Sequence, residues 1–357
     1  MDWIDNLNAT QQFLLFSAVK VVGVFAVLMG IVAYVVLLER KLCALIQDRV
    51  GPNRVGFFSV IGRRWGLGQP IADGVKSFLK EDFTPAYVRK AYFWLAPAVI
   101  MIPALLTVAV IPFGSTLGNP DNRMVIANLN VGILYTFGIV SLGVYGIVLA
   151  GYAANSKYPF LGGIRSSAQM ISYEISMGMS VIPIFMLVGS LNLSDVIAYQ
   201  AHGLFGWLVF KQPLAFLLFM VAAFAETNRM PFDLPESEQE LVGGYNTEYS
   251  SMKFAMFFMA EYANMTLASA MMVTLFWGGW TLPWFGLDEP ATTFLGGVLH
   301  IGIFLGKMAV LMVWFIWVRW MLPRFRYDQL MDLGWRRMIP LALANIMVTA
   351  LVMWMKS

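Results

Sequence analysis

The acidic residues of this chain are the ones whose type and spacing could do chemistry. Carboxylates bind and release protons. When they lie close together in a low dielectric, none can change its charge without affecting its neighbours. A third of the 21 acidic residues fall between positions 226 and 261, and these are Glu226, Asp233, Glu236, Glu238, Glu240, Glu248 and Glu261. This spacing indicates either a partly buried segment that handles protons or a solvated acidic loop.

The composition of the acidic segment favours the first alternative. The stretches 231–235 and 241–245 consist mainly of Pro, Phe, Leu, Val, Gly and Tyr, which is too apolar for a free loop. Glu236 and Glu240 are four positions apart and could share one helical face, whereas Glu238 could not join them. We therefore expect a folded segment with a functional role.

Two of the carboxylates lie deep inside apolar segments. Glu174 and Glu261 are about 9 Å and about 13 Å from the start of their segments at the rise of an α-helix. An ionisable group at such depth is costly and usually faces the interior of a bundle or a water-filled path. A protonated glutamic acid bonded to a neighbouring helix is the structural alternative. Lys307 is similarly deep, where it either pairs with a carboxylate or snorkels to the surface.

The composition identifies the environment of these residues. Of 357 residues, 59% are hydrophobic and 13% are charged, and the latter share is about half that of soluble proteins. This balance excludes disordered proteins, coiled coils and nucleic-acid-binding modules, and the net charge of +3 does not indicate a nucleic-acid partner. An iron–sulfur cluster takes about four cysteine thiolates, so the single cysteine, Cys43, excludes a cluster held by this chain alone. We expect no cofactor and no metal bound by this chain alone.

The apolar segments predict an all-α polytopic membrane protein with a bundle of eight transmembrane helices in a single membrane domain, 1–357. A bilayer core needs about 20 apolar residues in a helix. The fifth segment is the least regular, because Lys211-Gln-Pro213 interrupts it, and its membrane part could begin at Pro213. The predicted spans are about 17–38, 91–113, 131–153, 168–190, 206–225, 252–277, 293–318 and 338–355.

Basic residues predict the orientation of the bundle. Nineteen of the 24 lysines and arginines lie in, or at the edge of, the loops that follow the odd-numbered spans. By the positive-inside rule, loops 39–90, 154–167, 226–251 and 319–337 are cytoplasmic. Both termini then face the outer, periplasmic side.

The first cytoplasmic loop has a structure of its own. The segment 69–80 reads as an amphipathic surface helix, with Asp73 and Lys76 on one face. The basic residues of the loop could contact lipid headgroups or a cytoplasmic partner.

A set of ordered motifs resembles the H subunit of bacterial respiratory complex I, the proton-translocating NADH:quinone oxidoreductase, whose mitochondrial counterpart is ND subunit 1. The matches run from the first span to the last, and together they are specific, although any one tripeptide would not be. They are Glu39-Arg-Lys41, Asp48-Arg-Val-Gly-Pro-Asn53, Gln69-Pro-Ile-Ala-Asp73, Ser172-Tyr-Glu174, Ala225-Glu-Thr-Asn-Arg-Met-Pro-Phe-Asp-Leu234, Glu236-Ser-Glu-Gln-Glu-Leu-Val242, Asn246-Thr-Glu-Tyr249, Ala260-Glu-Tyr262 and Pro323-Arg-Phe-Arg-Tyr-Asp-Gln-Leu-Met331.

The resemblance implies a membrane component that helps to form the quinone chamber and couples quinone reduction to proton translocation. It implies a path of carboxylates through Glu174, Glu226, Glu248 and Glu261 with Asp73 nearby, and a coupling loop formed by Asp233, Glu236, Glu238 and Glu240. It also implies quinone contacts by Arg40, Lys41, Arg49, Lys76, Arg229, Phe257 and Phe258. Some relatives have one more carboxylate on the third span; this chain has none, and Tyr145 could replace it.

The resemblance also implies the partners. NADH, FMN and the iron–sulfur clusters would be bound by partner subunits in a bacterial inner membrane, and quinone would be the substrate. Those partners include iron–sulfur and quinone-site subunits of the cytoplasmic arm, and small and antiporter-like membrane subunits. The alternatives are the homologous membrane subunit of a hydrogenase or formate-lyase complex, a stand-alone secondary transporter and a purely structural anchor.

Overall fold

The computed structural model describes residues 9–56, 65–117, 123–234, 243–284 and 286–356. Helices dominate this part of the chain, and its only β-structure is two isolated bridges. The predicted all-α class is confirmed. The helices are α1 (Ala9–Ile46), α2 (Gln69–Leu79), α3 (Lys90–Thr107), α4 (Gly132–Ala153), α5 (Lys157–Val188), α6 (Leu193–Gln200), α7 (Leu208–Lys211), α8 (Pro213–Glu226), α9 (Ser251–Phe276), α10 (Phe294–Met321), α11 (Tyr327–Asp332) and α12 (Ile339–Lys356).

A helix covers most of each of the eight predicted segments, but their lengths and hydropathies differ. Within the described residues, six helical segments are long and apolar enough to cross a membrane, which makes this a multi-pass membrane protein. Helix α8 has only 14 residues and begins at Pro213, as the interrupted fifth segment suggested. The eight-span count and the outward position of the termini stay predictions.

Helix α9 is long enough to span a membrane but is not among the six. Its polar residues, such as Asn264, Thr266 and Ser269, lower its hydropathy. Most of its side chains are buried within the protein, because α9 contributes to both clusters of the hydrophobic core. A helix shielded from lipid in this way can carry Glu261.

Helix α4 contains several glycines, and two of them make close backbone contacts with neighbouring helices. A methyl group added at Gly146 would lie 2.8 Å from the backbone nitrogen of Ile100 on α3. One added at Gly151 would lie 2.7 Å from the carbonyl oxygen of Pro159 on α5. The glycines therefore allow these helices to approach closely. At Gly138 a methyl group would meet open space, so that residue is not explained by packing within this chain.

The predicted surface helix is confirmed as α2. None of its residues is buried, and Ile71 and Phe78 are more than half exposed. It lies beside the end of α1 and the start of α9, where it forms one wall of the cavity described next.

Candidate functional site

An apolar cavity of about 490 Å³ opens between α1, α2 and α9. Its walls include Val36 of α1, Phe78 of α2, and Phe258 and Met259 of α9. Asp73 also lines the cavity. A mostly apolar space with a few polar groups is typical of a binding site for a small organic molecule. This geometry brings Phe258 and Asp73, both predicted from the sequence, to one site.

An ion pair ties α2 to α1 at the polar part of this cavity. Arg40 Nη1 lies 2.8 Å from Asp73 Oδ2, and Gln69 Nε2 donates to Asp73 Oδ1 at 2.8 Å. Lys76 Nζ is 4.0 Å from the same carboxylate. Because the Arg40 and Asp73 side chains are 48% and 31% exposed, the pair contributes little stability and serves mainly to place α2.

A second, polar cavity of about 490 Å³ adjoins the first. Val36, Arg40 and Tyr262 line both cavities. Its other lining residues are Glu39, Cys43, Arg49, Pro52, Arg319 and Trp320. Because the two cavities share these residues, the charged groups of the second cavity lie next to the apolar cavity.

A chain of alternating charges leads from this polar cavity into the bundle. Arg319 Nη1 contacts Glu39 Oε1, and the opposite oxygen of Glu39 lies 2.9 Å from Arg229 Nη1. Arg229 Nε is in turn 2.6 Å from Oε1 of Glu261. The side chains of Arg229 and Glu39 are 7% and 6% exposed, and that of Glu261 is 17% exposed. Arg229 is thus shared by two acids on different helices.

The surroundings of Arg229 keep it charged. Its guanidinium lies 4.2 Å from the centre of the Tyr262 ring. Burial alone would lower the pKa of Arg229, but the negative charges of Glu261 and Glu39 raise that pKa above its usual range. Arg229 is therefore a fixed cation, and any change of charge at this place has to occur on the acids.

Arg229 lies in a tight turn that follows α8. Asn228 has a positive φ of 50°, which asparagine tolerates better than most residues. The buried Gln169 of α5 holds the turn at both ends, because its Nε2 donates to the carbonyl oxygens of Ala225 and Phe232 at 2.8 Å each. The turn is thus fixed on both sides of Arg229.

Glu226 is buried in a different way from Glu39 and Glu261. It is the last residue of α8, it is 7% exposed, and neither carboxylate oxygen has a hydrogen-bond partner among the described residues. Glu174 of α5 is half-buried and close enough for its charge to act on Glu226. These two carboxylates form a pair that cannot both carry a charge without repulsion.

Two further predicted acids have partners nearer the loops. Asp233 Oδ2 accepts a hydrogen bond from Arg324 Nη2 at 2.9 Å. Glu248 Oε2 accepts one from the hydroxyl of Tyr87 at 2.6 Å, and this bond raises the pKa of Tyr87. Glu236, Glu238 and Glu240 lie outside the described residues.

Comparison with known proteins identifies the family. A family model described as NADH dehydrogenase matches residues 19–350. The chain is 47% identical over 343 residues to an H subunit of the NADH-quinone oxidoreductase of Cytophaga hutchinsonii, the one numbered 1, which covers 95% of this chain and 96% of the relative. It is 47% identical over 364 residues to the H subunit numbered 2 of Koribacter versatilis, which covers 98% and 100%. The chain belongs to the NADH dehydrogenase family.

A third relative extends this agreement to another bacterium. The chain is 46% identical over 345 residues to the H subunit of the NADH-quinone oxidoreductase of Flavobacterium johnsoniae, covering 95% of both proteins. The resemblance inferred from the motifs is confirmed at the level of this family.

Not every residue predicted for the quinone site of this NADH dehydrogenase family member lines the two cavities. Phe258 does, but Phe257 is 1% exposed and packs against Tyr245 and Tyr249, with ring centroids 5.5 Å and 4.8 Å away. Adjacent helical residues point about 100° apart, and here the two phenylalanines have different surroundings. Lys41 is also absent from the residues that line either cavity.

Lys307 corrects one expectation. Its ammonium group neither pairs with a carboxylate nor extends to the surface. It donates hydrogen bonds to the carbonyl oxygens of Trp277, Gly279 and Thr281 at 2.7, 3.1 and 2.6 Å. These carbonyls follow the last turn of α9, where a cation complements the helix dipole. The positive φ angles of Gly278 and Gly279 curl the backbone around the ammonium group.

The sequence motifs contained one residue that the prediction missed. Glu39 begins the Glu-Arg-Lys motif, but only the two basic residues of that motif were expected at the site. The structure makes Glu39 the link between Arg319 and Arg229. Its position immediately after the apolar run of α1 was the available signal, since a buried acid there requires cationic partners.

Cys43 and Tyr145 differ in burial. Cys43 is 8% exposed and its Sγ lies 2.9 Å from Trp320 Nε1, so it is a packed thiol. Tyr145 is 64% exposed on α4 and is therefore not buried in the way that a path residue within this chain would be.

Proposed function

We propose that the chain is the membrane subunit of a proton-translocating NADH:quinone oxidoreductase that helps to form the quinone chamber and couples quinone reduction to proton transfer. The relatives reported above carry the name of that oxidoreductase. The observation that carries the proposal is the charge chain Arg319–Glu39–Arg229–Glu261, which begins in a cavity wall and ends on a buried carboxylate.

The two adjoining cavities support the first half of the proposal. An isoprenoid tail would occupy the apolar cavity between α1, α2 and α9, while the polar quinone head would extend towards Arg40 and the charged cavity. Phe258 would contact the tail, and the Arg40–Asp73 pair would hold α2 across it. Partner subunits would complete the chamber.

The charge chain supports the second half. Reduction of quinone takes up protons and changes the charge beside Glu39 and Arg319. Arg229 is a fixed cation shared by Glu39 and Glu261, so that a weaker interaction with one acid strengthens its interaction with the other. The charge that Glu261 carries would thereby respond to events in the cavity.

Glu226 and Glu174 would pass this change of charge further into the bundle. The buried carboxylate of Glu226 interacts with the half-buried carboxylate of Glu174, so a proton gained by one changes the affinity of the other for a proton. Glu248, with its short bond to Tyr87, would contribute at the loop end of the path, and Asp233 with Glu236, Glu238 and Glu240 would form the coupling loop.

Other components of the oxidoreductase would belong to partners. NADH, FMN and iron–sulfur clusters would be held by subunits of the cytoplasmic arm, and antiporter-like subunits would move the protons outward across a bacterial inner membrane. A hydrogenase or formate-lyase complex is the alternative. Purification in mild detergent distinguishes them: flavin and iron–sulfur absorbance with inhibitor-sensitive NADH:quinone activity supports the proposal, whereas a co-purified nickel–iron enzyme contradicts it.

A cavity-filling substitution tests the quinone chamber. Ala255 lines the apolar cavity, so Ala255→Trp should obstruct it and lower quinone reduction about tenfold or more, equivalent to about 1.4 kcal/mol or more. Leu299→Trp is the matched control, because Leu299 is 49% exposed on α10 and away from the cavity. NADH oxidation by an artificial acceptor upstream of quinone should be unchanged in both variants. Normal quinone kinetics in Ala255→Trp would contradict this assignment.

A further inference from the structure

A third cavity extends along α1 away from the proposed quinone site. Its volume is about 490 Å³, and it is formed by α1, α9, α10 and the segment that follows α3. Lys20 lines it, whereas Arg40 lines the quinone cavity. Twenty helical residues separate Lys20 from Arg40, about 30 Å along α1, so the polar ends of the two cavities are far apart. Their apolar ends adjoin, because Ile31 lines this cavity and Val32 lines the quinone cavity, but no described residue lines both.

The walls of this third cavity suit a hydrocarbon chain. Apart from Lys20 and Thr266, the side chains that line it are apolar, including Val24, Phe304 and Met308. Thr266 adds no free polar group, because its hydroxyl donates to the carbonyl oxygen of Tyr262 at 2.8 Å. The neighbouring α1 residues Val19 and Val22 are 62% and 67% exposed, as expected for a surface that faces lipid. We call this space the α1–α10 groove.

Lys20 places a cation at the mouth of the α1–α10 groove, and Arg123, which lines a neighbouring cavity, lies close to it. Lys20 Nζ donates to the backbone carbonyl oxygen of Arg123 at 2.9 Å, and the side chain of Arg123 is exposed. Both lie at the end of the bundle opposite the basic loops, where cations are scarce: the even-numbered loops contain only Arg123 and Lys211. The positive charge of Lys20 at the edge of an apolar groove attracts an anion.

We propose that the α1–α10 groove binds one phospholipid with an anionic headgroup, such as a phosphatidylglycerol. One acyl chain would fill the groove and restore the dispersion contacts that its walls otherwise lack. The phosphate would lie beside the ammonium group of Lys20, close to the exposed Arg123. The site is independent of the proposed quinone chemistry.

The chain offers matched variants for a test of this site. Lys20→Met removes the charge and keeps the length of the side chain. Gly23→Leu fills the groove, because Gly23 lines it and a methyl group there would meet nothing within 4 Å. Gly30→Leu is the control on the same helix, since Gly30 has equal space but does not line the groove. Lys211→Met is the control for removal of a cation at the same end of the bundle.

The measurement is the phospholipid content of the whole complex, purified in mild detergent and quantified by mass spectrometry. We expect Lys20→Met and Gly23→Leu each to lose about one equivalent of anionic phospholipid, while both controls retain it. In Lys20→Met a zwitterionic lipid could replace the anionic one, which also supports the headgroup contact. Retention of the anionic lipid by both groove variants would overturn the proposal.

Two other occupants would give different results. If a zwitterionic lipid alone fills the groove of the unaltered complex, anionic content will be the same in every variant, and the headgroup assignment is wrong. If a partner protein covers the groove, a cysteine introduced at Gly23 will crosslink to protein rather than react with a lipid-soluble maleimide. That result would contradict the proposal as a whole.

Discussion

Arg229 Nε lies 2.6 Å from Oε1 of Glu261, and this contact joins the turn after α8 to the middle of α9. On its other side the same guanidinium reaches Glu39 of α1 at 2.9 Å. One buried cation therefore holds three separate elements together and balances two acids. Stability and the proposed coupling would therefore depend on the same residue.

We predict that Arg229→Met will lower both stability and activity. Removing one partner of a buried ion pair leaves uncompensated charge and costs about 3–5 kcal/mol. The amount of assembled complex and its thermal stability should fall, and NADH:quinone turnover with them. Arg229→Lys should recover only part of this loss, because an ammonium group cannot reproduce the two-sided fork of a guanidinium.

Arg326→Met is the matched control for that substitution. Arg326 also pairs with an acid, with Nε at 3.1 Å from Asp328 Oδ1, but both side chains are more than 60% exposed. Its removal should change stability by less than about 1 kcal/mol. Equal effects of the two substitutions on thermal unfolding would show that the buried chain of charged residues is no more important for stability than an exposed ion pair.

Glu226→Gln should affect stability in the opposite direction. Both oxygens of Glu226 are buried without a hydrogen-bond partner among the described residues, so the ionised form is costly to bury. A neutral amide of the same shape should leave the melting temperature unchanged or raise it, whereas Glu39→Gln should lower it. Turnover should fall in both variants if Glu226 belongs to the path. A destabilised Glu226→Gln complex would mean that this carboxylate has a partner of its own.

Asp73→Asn should separate substrate access from stability. Because the Arg40–Asp73 pair is partly exposed, its loss should cost less than about 1 kcal/mol. Helix α2 would nevertheless be held less firmly across the apolar cavity. We therefore expect KM for a long-tailed quinone to rise several-fold with little change in kcat, and Asp328→Asn to change neither. An unchanged KM would exclude α2 as a wall of the entrance.

Lys307→Met should loosen the end of α9. Three backbone carbonyl oxygens would lose their donor, and an unsatisfied buried acceptor costs about 1–3 kcal/mol. Thermal stability should fall clearly. Lys211→Met removes an exposed lysine over the Tyr199 ring and should change stability by less than about 1 kcal/mol. Similar melting temperatures for the two variants would show that the carbonyl contacts are not important.

The sequence predicted the helical class and the surface helix α2 because apolar runs and amphipathic spacing are local properties. It predicted α9 as an ordinary span, whereas its polar residues reflect burial against other helices. The reason lies in tertiary packing, since hydropathy alone cannot distinguish a helix that faces lipid from one that faces protein.

The sequence could not predict which groups pair with the buried charges. Arg229 and Glu39 are 190 positions apart, and only the fold brings them together. Lys307 donates its hydrogen bonds to backbone carbonyl groups. Every residue has such a group, so the sequence does not show which of them a lysine will contact. The resemblance implied quinone contacts for both Phe257 and Phe258, whereas tertiary packing buries Phe257 against Tyr245 and Tyr249.

The most direct test of the coupling path is proton translocation by the whole complex with Glu261→Gln. The amide oxygen of glutamine can still accept from Arg229, and Glu39 remains in place, so we expect the complex to assemble. NADH oxidation and proton uptake should be measured together in sealed membrane vesicles. We predict that both rates fall by about tenfold, equivalent to about 1.4 kcal/mol, with normal amounts of complex. Unchanged rates and an unchanged proton-to-electron ratio would contradict a coupling role for Glu261.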